Sequence, residues 1–152
     1  DLCPCGFFGC LESIVGGAAI IRSAVSMLPG YPDSALNALH AEGNLHSNSI
    51  FDAARAGDAL AIKITQRCVK ALGVGIVNIA NLLNPEYVVF AGSVMGNDWF
   101  VEQVRKFVSD NLLIFTLNCL KGMVPSFMHV GDVGMYGAAC LCLGSGTECA
   151  SR

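Results

Sequence analysis

Charge is scarce in this chain: Asp, Glu, Lys and Arg together make up 14% of its 152 residues, where an ordinary soluble domain carries about 25%. The nine lysines and arginines are dispersed and the net charge is −3. No basic cluster stands ready to neutralise phosphates, so direct nucleic-acid contact is excluded as a role of these residues. Long apolar runs are lacking too. The best candidate, residues 14–28, contains Arg22, Gly16 and Gly17 and is too short to cross a bilayer, so no membrane span is expected. No secretory leader is expected, since the chain opens on Asp1 without one. There is no Walker A phosphate loop, no Ser-His-Asp arrangement and no paired carboxylates. No catalytic residue is therefore assigned.

What is abundant is apolar surface. Hydrophobic residues reach 53%, and a chain of this length forms one domain with a sizeable core. So little polar surface implies that part of the chain expects a cover, from a missing half or from a second copy in a homo-oligomer. Eight cysteines are present. Cys68, Cys140 and Cys142 fall in apolar helical patterns, where thiols pack as small hydrophobes, so a reducing cytoplasm is the expected setting.

The other notable cysteines are Cys3, Cys5 and Cys10, within the first twelve residues and with Gly6 and Gly9 between the last two. Thiolates this close converge on one ion only if the chain folds back sharply, and glycine reaches positive φ without steric penalty. Soft sulfur ligands suit a structural Zn²⁺ ion held by four donors, of which three are visible. The competing readings are a cluster of buried free thiols and a disulfide, the latter disfavoured by the bridging geometry of near neighbours. Nothing in the segment offers a partner for activating water, so the metal is expected to be structural.

The run Cys3-Pro-Cys5-Gly6-Phe-Phe-Gly9-Cys10-Leu-Glu12 resembles the C-x-C-G-x-x-G-C-x-E signature of the ROK family of repressors, open reading frames and kinases. The resemblance implies an actin-like, ribonuclease-H-like ATPase fold of α/β class, mostly helical with a short parallel sheet. It also implies a glucokinase-type sugar kinase or a sugar-responsive transcriptional regulator. The chain resembles the C-terminal half of a member, with a knuckle at 1–12, a core at 58–143 and a tail at 144–152. The family's fourth zinc ligand, a histidine in an upstream Gly-His motif, does not occur here.

Periodicity predicts a helix over 11–28, through Ile14, Ala18, Ile21, Val25 and Leu28, stopped by Pro29-Gly30. Residues 31–49 read as polar and turn-rich, with a short helix at 33–40 and surface histidines at His40 and His46. A short helix follows at 49–57. Asp58 then caps a long helix reaching Leu83, in which Gly73 and Gly75 suggest close approach of another backbone. Asn84-Pro85 ends it. The apolar run 87–91 reads as a strand covered on both faces, then a loop at 92–96, a helix at 98–113, a second strand at 125–130 and a closing helix at 134–143. Two strands do not make an independently stable sheet, which supports the half-molecule reading.

Three groups are candidates for function. By its match to the family motif, Glu12 would accept hydrogen bonds from sugar hydroxyls, a task suited to a carboxylate. Gly92 and Ser93, in a loop at the carboxyl end of a strand, would lie against a nucleotide. The family's equivalent loop is a run of glycines, from which Ala91 and Ser93 depart. Residues 131–139 resemble the family's closing segment: Asp132 would cap a helix, Gly134 and Gly137 would permit tight packing, and His129 would sit within the second strand. The family's Asp-x-Gly-x-Thr loop and Asn-Asp base are missing. The expected function is therefore part of an ATP- and Mg²⁺-dependent hexose kinase that is inactive as this chain alone. The alternatives are the sugar-binding effector domain of a regulator and a zinc-stabilised oligomerising fragment.

Overall fold

A computed structural model of the chain describes residues 2–126 and 132–143. Its backbone element is helix α5, Ala59–Leu83, of 25 residues. The Asp58 carboxylate caps it, accepting from the Ala61 amide at 2.8 Å, and also accepts from the Ser34 hydroxyl and the Ala35 amide. One side chain thus starts the longest helix and pins the loop before α3 (Leu36–Ala41). Asn84, at φ +47°, ends α5 in the left-handed conformation that asparagine tolerates.

Around α5 pack α2 (Gly17–Met27), α4 (Ser47–Arg55) and α6 (Asp98–Asn111). Their apolar faces make one core, with Ile20, Leu36, Ile50, Phe51, Leu60, Phe100, Val104 and Val108 fully buried. Phe51 and Phe100 stack at its centre, ring centroids 4.2 Å apart and 6° from parallel. Asn97 caps α6 by accepting from the Phe100 amide at 3.0 Å, which fixes that ring's entry into the core.

Strand β1 (Tyr87–Phe90) pairs in parallel with β2 (Gly122–Pro125), Tyr87 opposite Gly122 and Phe90 opposite Pro125. An ion pair between Lys121 and Glu86 (2.6 Å) closes the ladder's start, and Arg105 of α6 donates to the Met123 carbonyl at 2.9 Å. The second strand therefore lies earlier than the expected 125–130, because Gly122-Met-Val-Pro125 is short and bounded by residues that usually break strands. Of the expected strand, residues 127–130, including His129, lie outside the described residues. β1 is also not covered on both faces: Tyr87 and Val89 are exposed while Phe90 joins the core.

Other expectations shift by shorter distances. The first helix is two, α1 (Glu12–Val15) and α2, separated at Gly16. An unanticipated short helix, α7 (Ile114–Cys119), precedes β2. Gly73 admits not a backbone but the Phe107 ring, which a Cβ there would meet at 2.8 Å from Cε1 and 3.0 Å from Cγ. Gly75 has no such neighbour, its nearest contact being Leu11 Cδ2 at 3.7 Å. The closing helix α8 (Val133–Leu143) is exposed over residues 134–141. A Cβ at Gly134 or Gly137 would meet nothing, so the expected tight packing is not made among the described residues. The apolar surplus emerges at the end of α5 and on α7, where Leu82 and Phe115 are each 81% exposed. Among the described residues no helix is long and apolar enough to cross a membrane.

Candidate functional site

The knuckle is built by hydrogen bonds of its own backbone. Leu2 bridges Phe8 in antiparallel fashion, the Cys3 amide donates to Phe7 O at 2.8 Å and the Gly6 amide to Cys3 O at 2.9 Å. Gly6 (φ +89°) and Gly9 (φ +82°) take the positive angles that fold the chain back. The result brings the sulfurs of Cys3, Cys5 and Cys10 within 4.8 Å of one another, with Cys5 and Cys10 at 3.5 Å. All three are free thiols, Cys3 buried and Cys5 exposed.

Two thiolates on one tetrahedral ion at about 2.3 Å stand about 3.8 Å apart, so this trio fits a soft four-coordinate metal and leaves one position for a further donor. No other group of three His, Cys, Asp or Glu among the described residues meets the same distance condition. Hydrogen bonding sorts the protons within the trio. A hydrogen bond with the Phe7 backbone, then those with Cys3 and Cys10, lowers the Cys5 pKa; Cys10, chiefly through its bond with Cys5, is pushed up to about 11. Cys68, buried and donating to the Ile14 carbonyl at 3.5 Å, is pushed up to about 11 by desolvation and behaves as the inert packing thiol expected. Cys140 is exposed instead, because α8 presents it to solvent.

The knuckle passes directly into α1. The Ser13 hydroxyl and amide both donate to Cys10 O, at 2.7 and 3.0 Å, so the last cysteine of the trio and the first helical turn form one unit. Glu12 is the first residue of that turn. It faces a cleft of about 420 Å³ whose far wall is β1 and the loop after it. Gly92 and Ser93 line that wall, and Leu72 and Ile76 of α5 also line the cleft. Gly92 holds φ +109° and ψ 157°, a conformation open to glycine and not to L side chains, which turns the chain from β1 into the short 3-10 turn Ser93–Gly96. Glu12 and the Gly92–Ser93 loop, far apart in sequence, therefore line one cavity.

Sequence reasoning missed Gly16, which borders the same cleft and is buried. The Gly16-Gly17 pair inside a helical pattern was the available signal. His40 and His46 are exposed, as expected, and the His46 amide donates to the Ser49 hydroxyl at 2.9 Å. Asp132 precedes α8 and accepts from the Tyr136 amide through its main-chain carbonyl at 2.9 Å.

The chain is similar both to sugar kinases and to transcriptional repressors. The chain is 31% identical over 150 residues to a glucokinase of Thermotoga maritima, covering 91% of this chain and 44% of that protein. It is 34% identical over 99 residues to an N-acetylglucosamine repressor of Escherichia coli O157:H7, covering 64% of this chain and 23% of that one. A crystal structure of a ROK family glucokinase from Streptomyces griseus, in complex with glucose and AMPPNP, superposes with a TM-score of 0.73 at 25% identity, over 92% of this chain and 46% of that one. The chain spans less than half the length of these relatives. The ROK family match itself covers residues 1–145. That corrects the expectation of a mere C-terminal half: the family domain extends over nearly the whole chain. Helices α2, α4, α5 and α6 close a core of their own, which Phe90 of β1 joins. On the strength of that match, the chain belongs to the ROK family.

Proposed function

We propose that the Glu12 cleft binds a hexose and that the chain serves a sugar kinase of the glucokinase type. Glu12 accepts hydrogen bonds from sugar hydroxyls, and the Gly92–Ser93 loop lines the nucleotide side of the same cavity. The observation that carries this reading is the juxtaposition of Glu12 with Gly92 and Ser93 around one cleft of about 420 Å³. A charged acceptor beside a glycine-turned loop at a strand's carboxyl end is the arrangement that holds a polyhydroxyl ligand next to a second, flatter one. The relatives named glucokinase support it.

Zinc at Cys3, Cys5 and Cys10 is part of the same proposal, as a structural ion. When bound it supplies rigidity, holding the turn at Cys10 from which Glu12 projects. The protein's own residues do the rest: Glu12 orients the sugar, Gly16 leaves room for its carboxylate, and Gly92 turns the loop along the cavity wall. Mg²⁺-ATP would enter by the Gly92–Ser93 wall.

A second reading, sugar binding without phosphoryl transfer in a regulator, is favoured by the relative named as a repressor and by Ser93 in place of a further glycine. Calorimetric titration of the zinc-loaded chain with glucose, N-acetylglucosamine and Mg²⁺-ATP separates the readings. The kinase reading expects both a sugar and the nucleotide to bind; sugar alone supports the regulator. Unchanged sugar affinity in Glu12→Gln would overturn the assignment of Glu12, where loss of a charged hydrogen bond predicts a drop of about tenfold or more.

A further inference from the structure

A second cavity, of about 430 Å³, opens between α4, α5 and α6, and the sugar site makes no use of it. Its walls are mostly apolar and aromatic, with Val69 on α5 and Trp99 and Phe107 on α6, and the neutral amides of Gln66 and Gln103 line it as well. Lys70 is the only charged residue that lines it. Thr65 lines it too, and its side chain is 2% exposed, yet the hydroxyl has no hydrogen-bond partner. It is the only buried side-chain oxygen or nitrogen left so among the described residues.

A polar atom withdrawn from water almost always finds a partner in the folded protein, so an orphan at a cavity wall points to a group the cavity receives. A helical threonine has two χ1 positions open to its hydroxyl, one of them toward a carbonyl of the preceding turn, so the group can turn between that acceptor and an incoming atom. The lining then specifies the guest. Flat aromatic walls take a flat apolar body, the exposed Lys70 ammonium takes an anion at the rim, and the Thr65 hydroxyl takes an oxygen at the inner end. No carboxylate lines the cavity to repel an anion.

We infer that this cavity is a binding site for a small aromatic carboxylate carrying a second oxygen opposite its carboxyl group. The ring packs on Trp99 and Phe107, the carboxylate pairs with Lys70, and the distal oxygen hydrogen-bonds Thr65. The site is separate from the Glu12 cleft and stands whether or not that cleft binds sugar.

Trp99 is the chain's sole tryptophan, so its fluorescence reports this cavity alone. The test titrates the full chain with 4-hydroxybenzoate, benzoate and 4-hydroxybenzamide, following Trp99 emission and, independently, heat. The expected result is a saturable response strongest for 4-hydroxybenzoate. It should exceed the amide by about fivefold, the scale of an exposed ion pair, and benzoate by about fivefold, the scale of one neutral hydrogen bond. Lys70→Gln should erase the first difference and Thr65→Val the second. Lys70 is exposed and valine matches threonine in shape, so circular dichroism should show both variants folded. A linear, non-saturating response, saturable heat without a Trp99 change, or identical affinities in both variants would each overturn the inference.

Discussion

A Cβ on Gly16 would stand 2.6 Å from Cδ of Glu12 and 2.6 Å from the Glu12 carbonyl oxygen. The same Gly16 donates its amide to that carbonyl at 3.0 Å, then leaves in an extended conformation (φ −64°, ψ 141°) to start α2. Gly16 is thus the hinge between α1 and α2 and the space into which the Glu12 side chain folds.

Gly16→Ala should therefore cost about 1–3 kcal/mol, the usual penalty of forcing a group into filled space, and should weaken hexose binding as Glu12 is displaced. Gly17→Ala is the control. Its nearest neighbours are Val94 Cγ2 at 3.8 Å and Ser47 Oγ at 3.9 Å, both ordinary contacts. Urea unfolding and sugar titration of the pair measure the difference; equal behaviour would remove Gly16 from the site.

Gly73 and Gly75 lie two residues apart in α5 and should respond in opposite directions. Gly75→Ala should stabilise by up to about 1 kcal/mol, the helix-propensity gain of alanine over glycine. Gly73→Ala drives a methyl into the Phe107 ring and should destabilise by about 1–3 kcal/mol in spite of that gain. Phe107→Leu combined with Gly73→Ala should recover part of the loss in a double-mutant cycle.

Asp58 couples stability to pH. Burial would raise its pKa, but hydrogen bonds from Ala61, Ser34 and Ala35 outweigh burial and hold it below the ordinary value. A carboxylate depressed in the folded state contributes stability that is full above its unfolded pKa and disappears as pH falls through the folded one. Wild-type protein should lose stability as pH drops below about 4, and Asp58→Asn should flatten that slope. At neutral pH, Asp58→Ala should cost about 1–2 kcal/mol as the cap of α5 is lost. Denaturant midpoints across acid pH provide the check.

Metal removal should loosen the amino end. The purified chain is expected to carry about one equivalent of zinc, and chelation should lower its melting temperature because ligand binding is coupled to folding. Stripping should expose additional thiols to a disulfide reagent at the knuckle. Cys68, buried and raised to about 11, should react only on unfolding. Zinc near zero in freshly purified protein, with all knuckle thiols reactive, would overturn the metal site.

Much of the helical framework was legible because its signals are short-range. Asp58 stands just before the helix it caps, and Asn84-Pro85 closes α5. The boundaries that failed depended on partners elsewhere. Gly16 interrupts a continuous 3.6-residue pattern beside the Glu12 carboxylate, and β2 starts at Gly122 where the ladder opposite Tyr87 begins. The half-molecule expectation failed for a related reason. Strand count cannot show that four helices, joined by Phe90 of β1, build a core around the stacked Phe51 and Phe100.

The linear order of residues determined the thiol trio, the glycines that turn it and the family likeness, since all of these are spacings within a dozen positions. Only the tertiary structure decided that Glu12 and Gly92 share a cleft, that Phe107 occupies the place of a Gly73 side chain, and that Thr65 is left without a partner beside Trp99. Those facts arise from the packing of α1, α4, α5, α6 and β1 against one another. Contacts between residues far apart in sequence leave no periodicity or spacing to read.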